Sequence, residues 1–202
     1  MLGYGGCHIS DCYGAQATGT NSSAIHECFG VQDVTVMKAT VGLGSNMGDR
    51  LANLQFAIDS LSATVGTQVH SISPVYETDP VGGPAQGEYL NAVVVLKTIL
   101  SPEQLLAATQ SIELAAHRER SEHWGPRTLD LDLLAMDNLI LNSQNLVLPH
   151  PRAHERGFVL LPWSLLDPDY LIPGHQSVAE LLTHVDLSGV RPRLDLSLVA
   201  AQ

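Results

Sequence analysis

From residue 38 onward, apolar and polar residues follow two regular periods that predict strands and helices. Short apolar runs predict strands at residues 40–43, 68–76, 90–98 and 129–136. Apolar residues at helical spacing predict helices from an Asp49 cap to about residue 63, from a Ser101 cap to about residue 116, and from about residue 155 to 166. Between the second and third strands, Pro and Gly concentrate at residues 80–87, which predicts a loop.

The order of these elements indicates the fold class. Strand, helix, strand, strand, helix, strand is the order of a ferredoxin-like α/β sandwich, an α+β fold in which helices pack on the faces of an antiparallel sheet. Folds of this kind carry many unrelated activities, so the order alone does not decide the function.

Residues 1–36 differ from the rest of the chain. They contain no Lys or Arg, many Gly, Ser, Thr and Cys residues, and no helical or strand periodicity. We therefore predict that residues 1–36 form a disordered N-terminal extension and that residues 37–202 form the functional domain. The three cysteines all lie in this extension, and with His8 and His26 they suggest a zinc site. Their spacing matches no familiar ligand pattern, so we interpret Cys7, Cys12 and Cys28 as unpaired reduced thiols.

The composition disfavours several classes of function. The formal net charge is −11, and a surface this acidic repels nucleic-acid phosphates, so we expect no nucleic-acid partner. No run of about 18 apolar residues occurs, and the N-terminus lacks a basic segment followed by an apolar core. We therefore expect no membrane span and a cytoplasmic location. An anionic substrate would need metal ions and clustered arginines to overcome the overall negative field.

Two carboxylates lie close together in the last predicted strand of the sheet. Residues two apart on a strand share a face, so Asp130 and Asp132 project the same way while Leu129, Leu131 and Leu133 point into the core. Taken alone, such a pair fits a solvent-facing strand at least as well as a metal site. Two adjacent carboxylates stay ionised most readily around a cation, and Mg²⁺ commonly takes one or two carboxylates plus water and substrate phosphates. The pair is therefore a candidate magnesium site.

Arginines cluster directly before this carboxylate pair. Arg118, Arg120 and Arg127 share a loop with Trp124. A local salt-bridge network would account for part of the clustering. In a chain of net charge −11, however, arginines beside two carboxylates favour a clamp on a transferring phosphoryl group. Closure of the loop would place Trp124 over the site.

An aromatic ring and an amide mark a second candidate region. Tyr89 and Asn91 lie two residues apart at the start of a predicted strand, so the ring can stack on a flat heterocycle while the amide pairs with its edge. Phe158 is either the other side of such a stack or a core residue. His150 is held between two prolines and is either a surface residue or a ligand-binding one.

The glycine-containing segment at residues 42–48 matches neither of the two common phosphate-binding glycine motifs. We predict instead a turn that joins the first strand to the first helix, with glycines that allow close backbone packing. The protein-kinase signatures are also missing from the sequence, so ATP chemistry here would use another scaffold.

Taken together, these segments resemble one enzyme family. From residue 38 to about residue 173, the chain is similar to 6-hydroxymethyl-7,8-dihydropterin pyrophosphokinase. The similarity rests on five segments in order: GLGSN at 42–46, YETDP at 76–80, YLNA at 89–92, WGPRTLDLD at 124–132 and LPHP at 148–151. The run from tryptophan to aspartate is long and highly specific.

The resemblance implies that residues 37–202 transfer pyrophosphate from ATP to 6-hydroxymethyl-7,8-dihydropterin, giving the pterin diphosphate and AMP in folate biosynthesis. It also implies a monomeric enzyme that uses two Mg²⁺ ions, held by Asp130 and Asp132. The remaining implied roles are transfer for Arg118 and Arg127, pterin binding for Thr78, Val81, Tyr89, Asn91 and Phe158, and ATP binding for Gln110, Glu113, Arg120, Trp124, His150 and Arg156.

Two positions depart from the family's pattern. His123 stands where the family often has arginine, and Asp79 stands where it often has proline. Either change would alter loop closure or affinity. Two alternatives stay open from the sequence. A non-catalytic ferredoxin-like ligand-binding module would show no ATP turnover and would tolerate Asp130→Asn, whereas a nucleic-acid-binding sandwich is opposed by the composition.

Overall fold

The computed structural model describes residues 35–80, 86–116 and 127–200. The strands are β1 (Met37–Ser45), β2 (Thr67–Ile72), β3 (Tyr76–Thr78), β4 (Tyr89–Thr98), β5 (Asp130–Met136), β6 (Leu141–Asn142), β7 (Val147–Leu148) and β8 (Val190–Pro192). The helices are α1 (Arg50–Ala63), α2 (Pro102–Ala115), α3 (Gly157–Ser164) and α4 (Val178–Leu182), with a 3-10 helix at Ala153–Glu155. The extension predicted at residues 1–36 lies outside the described residues except for positions 35 and 36.

Six of these strands form one antiparallel sheet. The strand order is β5–β1–β4–β3–β8, and β2 pairs with the half of β4 that β3 leaves open. At the centre, β1 pairs with β4 along its whole length and with β5 on its other side. The connection from β1 through α1 to β2 and β3, then from β4 through α2 to β5, is that of a ferredoxin-like sandwich. The predicted fold class is therefore confirmed.

Side chains alternate along the strands and divide the core between the two faces of the sheet. One face packs against α1 and α2, and its buried members include Val41, Leu43, Leu54, Ile58, Leu61, Val94, Leu105, Leu131 and Leu133. The other face packs against α3 and α4, and its buried members include Val93, Leu134, Leu160, Trp163 and Val178. The helices thus cover both faces, although the second face is only partly covered.

The first two helices begin at the caps that the sequence predicts. The Asp49 carboxylate accepts a hydrogen bond from the backbone N–H of Ala52 at 3.0 Å. The Ser101 hydroxyl accepts from the N–H of Gln104, whose side chain accepts in turn from the N–H of Ser101, with proline at the first helical position. Each cap satisfies N–H groups that the helix leaves unpaired and contributes about 1 kcal/mol.

The strand predicted at residues 68–76 is wrong as a single element. The structure has two strands there, β2 and β3, separated at residues 73–75. Pro74 has no N–H to donate to a sheet, and the regular ladder is interrupted there: the Ser73 N–H donates to the carbonyl of Val93, and the Ser73 hydroxyl accepts from the N–H of Val93, both at 2.9 Å. The break lets the chain cross from one half of β4 to the other.

The third helix is shorter than predicted. Residues 153–155 form a 3-10 turn, and the extended backbone of Arg156 (φ −107°, ψ 109°) separates this turn from α3, which begins at Gly157. The later elements α4 and β8 were not predicted. No helix in the described ranges is both long and apolar enough to cross a membrane.

Candidate active site

A cavity of about 710 Å³ opens on the sheet face that α3 and α4 cover only in part. Its lining contains, among others, Gly42, Gly44, Thr78, Tyr89, Asn91, Arg127, Asp130, Asp132, His150, Arg152, Arg156, Phe158 and Gly189. On β1, β4 and β5 these residues alternate with members of the α1/α2 core. Of the glycines in the turn predicted at residues 42–48, Gly42 and Gly44 lie within β1, so that part of the prediction is wrong, whereas Gly48, with φ of 64°, lies in the connection from β1 to α1.

The strand β5 carries the two candidate metal ligands into this cavity. Leu129, Leu131 and Leu133 are 0%, 5% and 4% exposed, whereas Asp130 and Asp132 are partly exposed on the opposite face. The predicted alternation is therefore confirmed. Directly across on β1, Gly44 pairs with Asp130 and Gly42 with Asp132. Glycine partners have no side chain, so the space in front of the carboxylates stays open.

Each of the two carboxylates is paired with an arginine. Arg127 Nη1 lies 2.6 Å from Asp130 Oδ1, and Arg156 Nη1 lies 3.6 Å from Asp132 Oδ2. Burial alone would lower the pKa of Arg127, but its contact with Asp130 raises the pKa above the ordinary value. Burial lowers the pKa of Arg156, against the opposing effect of Asp132. The resulting cluster alternates positive and negative groups along one wall.

The end of β1 fixes the backbone of Arg127. The Asn46 side-chain oxygen accepts from the N–H of Arg127 at 2.7 Å, and the N–H of Asn46 donates to the carbonyl of Arg127 at 3.1 Å. Asn46 also donates through its side chain to Gln86 at 3.0 Å. Sequence reasoning missed both Asn46 and Gln86, because their role depends on contacts between distant parts of the chain.

The candidate ring-binding residues line the same cavity, and Tyr89 and Asn91 lie close to Asp130, since a Cβ atom at Gly44 would be within 4 Å of all three. The side-chain nitrogen of Asn91 donates to the hydroxyl of Thr78 at 2.6 Å, and both residues are buried. Tyr89 donates from its hydroxyl to Gln86 at 3.2 Å. Phe158 also lines the cavity, with the guanidinium of Arg156 placed 5.6 Å from its ring centroid. The rings predicted to hold a flat heterocycle thus share one cavity with the carboxylate pair.

His150 faces the same cavity in its neutral form. Its backbone N–H donates to the carbonyl of Leu134 at 2.7 Å, and its Nδ1 accepts from the N–H of Arg152 at 3.1 Å. Burial and then the positive charge of Arg156 lower the pKa of His150 to about 4. Because Nδ1 accepts a hydrogen bond, the proton of the neutral ring resides on Nε2, which is a donor.

Some predicted site residues lie elsewhere. Gln110 is exposed on α2, and Glu113 is 4% exposed with its carboxylate accepting from the N–H of Leu131 at 2.8 Å. Neither residue lines the cavity, since α2 packs on the opposite face of the sheet. Their predicted contacts with ATP stay predictions. The predicted residues Val81, Arg118, Arg120 and Trp124, and the departure at His123, lie outside the described residues.

Other residues in the lining were not predicted. Arg152, which directly precedes the 3-10 helix, and Glu155, its last residue, line the cavity together with His150. Arg152 follows the predicted LPHP segment, and a positive residue so close to His150 was a usable signal. The lining residues Asp186, Ser188, Gly189 and Val190 had no such signal, because only the folded chain brings them to this wall.

Comparison with known proteins agrees with this arrangement. Residues 40–168 match the model of the family described as 7,8-dihydro-6-hydroxymethylpterin-pyrophosphokinase (HPPK). The chain belongs to this family. Members named 2-amino-4-hydroxy-6-hydroxymethyldihydropteridine pyrophosphokinase include a Methylorubrum extorquens protein, 43% identical over 76% of this chain and 96% of its own. A Bacillus subtilis member is 45% identical over 61% of this chain and 74% of its own.

A solved structure supports the fold separately. A Plasmodium falciparum HPPK-DHPS triple mutant crystallised with pteroate superposes with a TM-score of 0.59 at 15% sequence identity. The superposition covers 76% of this chain and 44% of that longer chain, so this chain spans less than half of the Plasmodium protein. At this identity, the likeness shows the fold and nothing about substrates.

Proposed function

We propose that this chain transfers the pyrophosphoryl group of ATP to the hydroxyl of 6-hydroxymethyl-7,8-dihydropterin, which yields the pterin diphosphate and AMP for folate biosynthesis. The observation that carries the proposal is one cavity that holds ring- and amide-bearing residues together with a carboxylate pair, each carboxylate of which is paired with an arginine. We further propose that the protein acts in the cytoplasm as a monomer.

The proposed pterin site is suited to a flat, polar heterocycle. Tyr89 and Phe158 offer aromatic faces, and a pterin ring placed between them would gain stacking as well as burial. Asn91 is held in one orientation by its 2.6 Å bond to Thr78, so its amide presents a fixed pattern to the edge of the ring. Such a fixed pattern favours ligands whose edge matches it over other flat rings.

The carboxylate pair fits Mg²⁺. Asp130 and Asp132 supply hard oxygen ligands on one strand face, and Gly42 and Gly44 leave the space before them open. Among the described residues there is no cluster of three or more acidic, histidine or cysteine side chains. A two-carboxylate site suits Mg²⁺, which completes its coordination with water and substrate phosphates. Two bound Mg²⁺ ions would neutralise charge on the triphosphate oxygens.

The arginines supply the protein's own electrostatic contribution. Arg127 and Arg156 lie beside the carboxylates, and phosphate oxygens are ligands that a guanidinium binds with two parallel hydrogen bonds. Neutral His150 donates from Nε2 to a phosphate or ribose oxygen without adding charge. Positioning and charge stabilisation of this kind account for most of the catalysis in phosphoryl transfer.

In the transfer, the pterin hydroxyl oxygen forms a bond to the β-phosphorus of ATP. The bond between the β-phosphorus and the oxygen that bridges to the α-phosphorus breaks, and AMP leaves with that oxygen. The hydroxyl proton is released. Arg127 lines this cavity, with its backbone fixed to Asn46 and its side chain to Asp130.

The test is AMP formation from ATP and Mg²⁺, measured with and without the hydroxymethyl-dihydropterin. We expect AMP to form only with the pterin and only with Mg²⁺, and Asp132→Ala to abolish it. ADP in place of AMP would mean a different phosphoryl transfer. A folded protein that binds the pterin without turnover would favour the non-catalytic binding module and overturn the proposal.

A further inference from the structure

A segment near the end of the described chain forms one wall of the cavity. Asp186, Ser188, Gly189 and Val190 line it, although the match to the family model ends at residue 168. Backbone hydrogen bonds and an Asp186 carboxylate that accepts from both the N–H and the hydroxyl of Ser188 shape this segment. The match to the family model therefore stops before this wall.

The segment is fitted closely against the start of α3. A Cβ atom at Gly157 would lie 2.6 Å from the carbonyl oxygen of Asp186 and 2.8 Å from a methyl carbon of Leu187. Only glycine permits this approach. Gly157 stands between Arg156 and Phe158, so the segment packs directly beside two residues of the proposed site.

At its other end, the segment continues into β8 and extends the sheet beyond β3. Val190 pairs with Thr78, and the N–H of Asp79 donates to the carbonyl of Gly189 at 3.2 Å. A proline at position 79, as the family often has, could not donate this hydrogen bond. The wall is therefore joined to both ring-binding sides of the cavity, at Phe158 and at Thr78.

One side chain of β8, that of Arg191, forms ion pairs with residues next to β3 and β4. The guanidinium of Arg191 lies 2.9 Å from Asp79 Oδ1 and 2.7 Å from Glu88 Oε1. Asp79 directly follows Thr78, Glu88 directly precedes Tyr89, and Thr78 and Tyr89 are paired across β3 and β4. All three charged groups are largely exposed, so each pair adds little to overall stability. The bridge joins the residue after Thr78 to the residue before Tyr89, next to the ring-binding residues of β3 and β4.

Resting on the proposed function, we propose that residues 186–190 form a wall of the pterin site and that Arg191, which directly follows this wall, is a positioning residue. It holds Thr78 and Tyr89 in their binding geometry through Asp79 and Glu88. Loss of this bridge weakens pterin binding and leaves ATP binding unchanged, because the arginines and carboxylates of the proposed phosphate site do not contact it.

The experiment compares Arg191→Ala with Arg193→Ala by titration calorimetry. Arg193 follows β8 directly, carries the same charge, and pairs with Glu77 at 3.1 Å and Asp195 at 2.8 Å, away from the cavity lining. Binding of the hydroxymethyl-dihydropterin is measured with a non-hydrolysable ATP analogue present, and the analogue is also titrated alone. We expect Arg191→Ala to raise the pterin Kd about tenfold, in line with the sensitivity of bound geometry to small displacements. Both Kd values in Arg193→Ala should stay within about twofold of wild type, because neither Arg193 nor its partners Glu77 and Asp195 line the cavity.

Two further measurements distinguish a positioning role of Arg191 from a general loss of rigidity in the protein. Adding Arg191→Ala to an Asp79→Ala/Glu88→Ala double variant should cause no additional loss, because the bridge is already broken. Amide hydrogen exchange of residues 77–79 and 88–90 should be faster in Arg191→Ala than in Arg193→Ala. Equal pterin Kd changes in the two arginine variants, or a change below twofold in Arg191→Ala, would overturn the inference.

The outcome also distinguishes this inference from the proposed function. A wild-type protein that binds the pterin but releases no AMP would overturn the proposed catalysis, while the calorimetric comparison would still decide the role of Arg191. A wild-type protein that binds no pterin would overturn both.

Discussion

The two faces of the central sheet are built from the same strands but differ in almost every property. On β5, Leu131 is 5% exposed in the core beneath α1 and α2, while its neighbours Asp130 and Asp132 face the cavity. On β1, Leu43 belongs to the core, while Gly42 and Gly44 line the cavity. One face is closed by large apolar side chains, and the other is kept open by small and charged ones.

The difference shows how one strand serves stability and chemistry at once. Successive side chains on a strand point to opposite faces, so a substitution affects one face with little effect on the other. The α1/α2 face supplies the burial that holds the sheet together. That rigid support lets the cavity face carry like charges and glycines, which would weaken an isolated strand. Substitutions on the α1/α2 face should therefore change stability, whereas substitutions of the neighbouring residues on the cavity face should change activity.

The largest expected effect is the loss of activity in the Asp130→Asn variant. The change keeps the shape of the side chain but removes a charge that we propose binds Mg²⁺ and that pairs with Arg127 at 2.6 Å. We expect kcat/KM for pterin-dependent AMP formation to fall about a thousandfold, the scale seen when one charge-stabilising group is lost. The melting temperature should change by no more than about 2 °C, as for a partly exposed substitution.

Asp59→Asn is the matched control, because Asp59 is an exposed carboxylate on α1 that accepts a hydrogen bond from the Gln55 side chain and lies on the opposite side of the sheet from the cavity. It changes the net charge by the same amount and should leave kcat/KM unaltered. Full activity in Asp130→Asn would contradict the metal-site assignment and favour a non-catalytic binding module.

Leu131→Ala should produce the opposite result. Removing a buried leucine leaves a cavity beneath the helices, so the free energy of unfolding should fall by about 2–4 kcal/mol. Activity per folded molecule should stay near that of wild type at low temperature, because the cavity face keeps its side chains. Urea denaturation together with an AMP assay at 10 °C measures both quantities. A loss of activity as large as that of Asp130→Asn would mean that the two faces are not independent.

The sequence predicts the α1/α2 face better than the cavity face, for a physical reason. Leu129, Leu131 and Leu133 follow the strand period, and the caps at Asp49 and Ser101 follow local hydrogen-bonding rules. Both signals are contained in a few neighbouring residues. The break at Pro74 depended instead on how Ser73 bonds to a distant strand, and periodicity could not show it.

The cavity residues were predicted partly by pattern and partly by resemblance. Asp130 and Asp132 are two apart on one strand, so their common face follows from the sequence alone. That Gly44 lies opposite Asp130 depends on the register of β1 and β5, which no local pattern determines. The wall at residues 186–190 depends on α3 and β8 folding back, and it had no signal in the sequence.

A smaller effect is expected when a single methyl group is added to the cavity face of β1 at Gly44. A Cβ atom at Gly44 would lie 3.2 Å from the side-chain oxygen of Asn91, which must then shift against its bond to Thr78. We expect Gly44→Ala to raise the pterin Kd about tenfold, because the amide loses its fixed orientation. Gly42→Ala is the comparison, since its Cβ would meet only Leu134, at an ordinary distance of 3.5 Å. Equal pterin Kd values in the two variants would show that the Asn91 orientation does not matter.

The smallest expected effect is the contribution of His150 to the pH dependence of stability. The pKa of His150 in the folded protein is about 4, below its ordinary value of 6.5, so as pH falls the unfolded chain takes up the proton first. The stability that neutral His150 contributes is therefore complete above pH 6.5 and is lost as the pH falls towards 4. The slope should stay below about 1.4 kcal/mol per pH unit, because the ring is partly exposed and solvent screens it. Urea denaturation across this range should show a shallower slope in His150→Asn than in a variant of the exposed residue His184, His184→Asn. Identical slopes would mean that the cavity face does not hold His150 neutral.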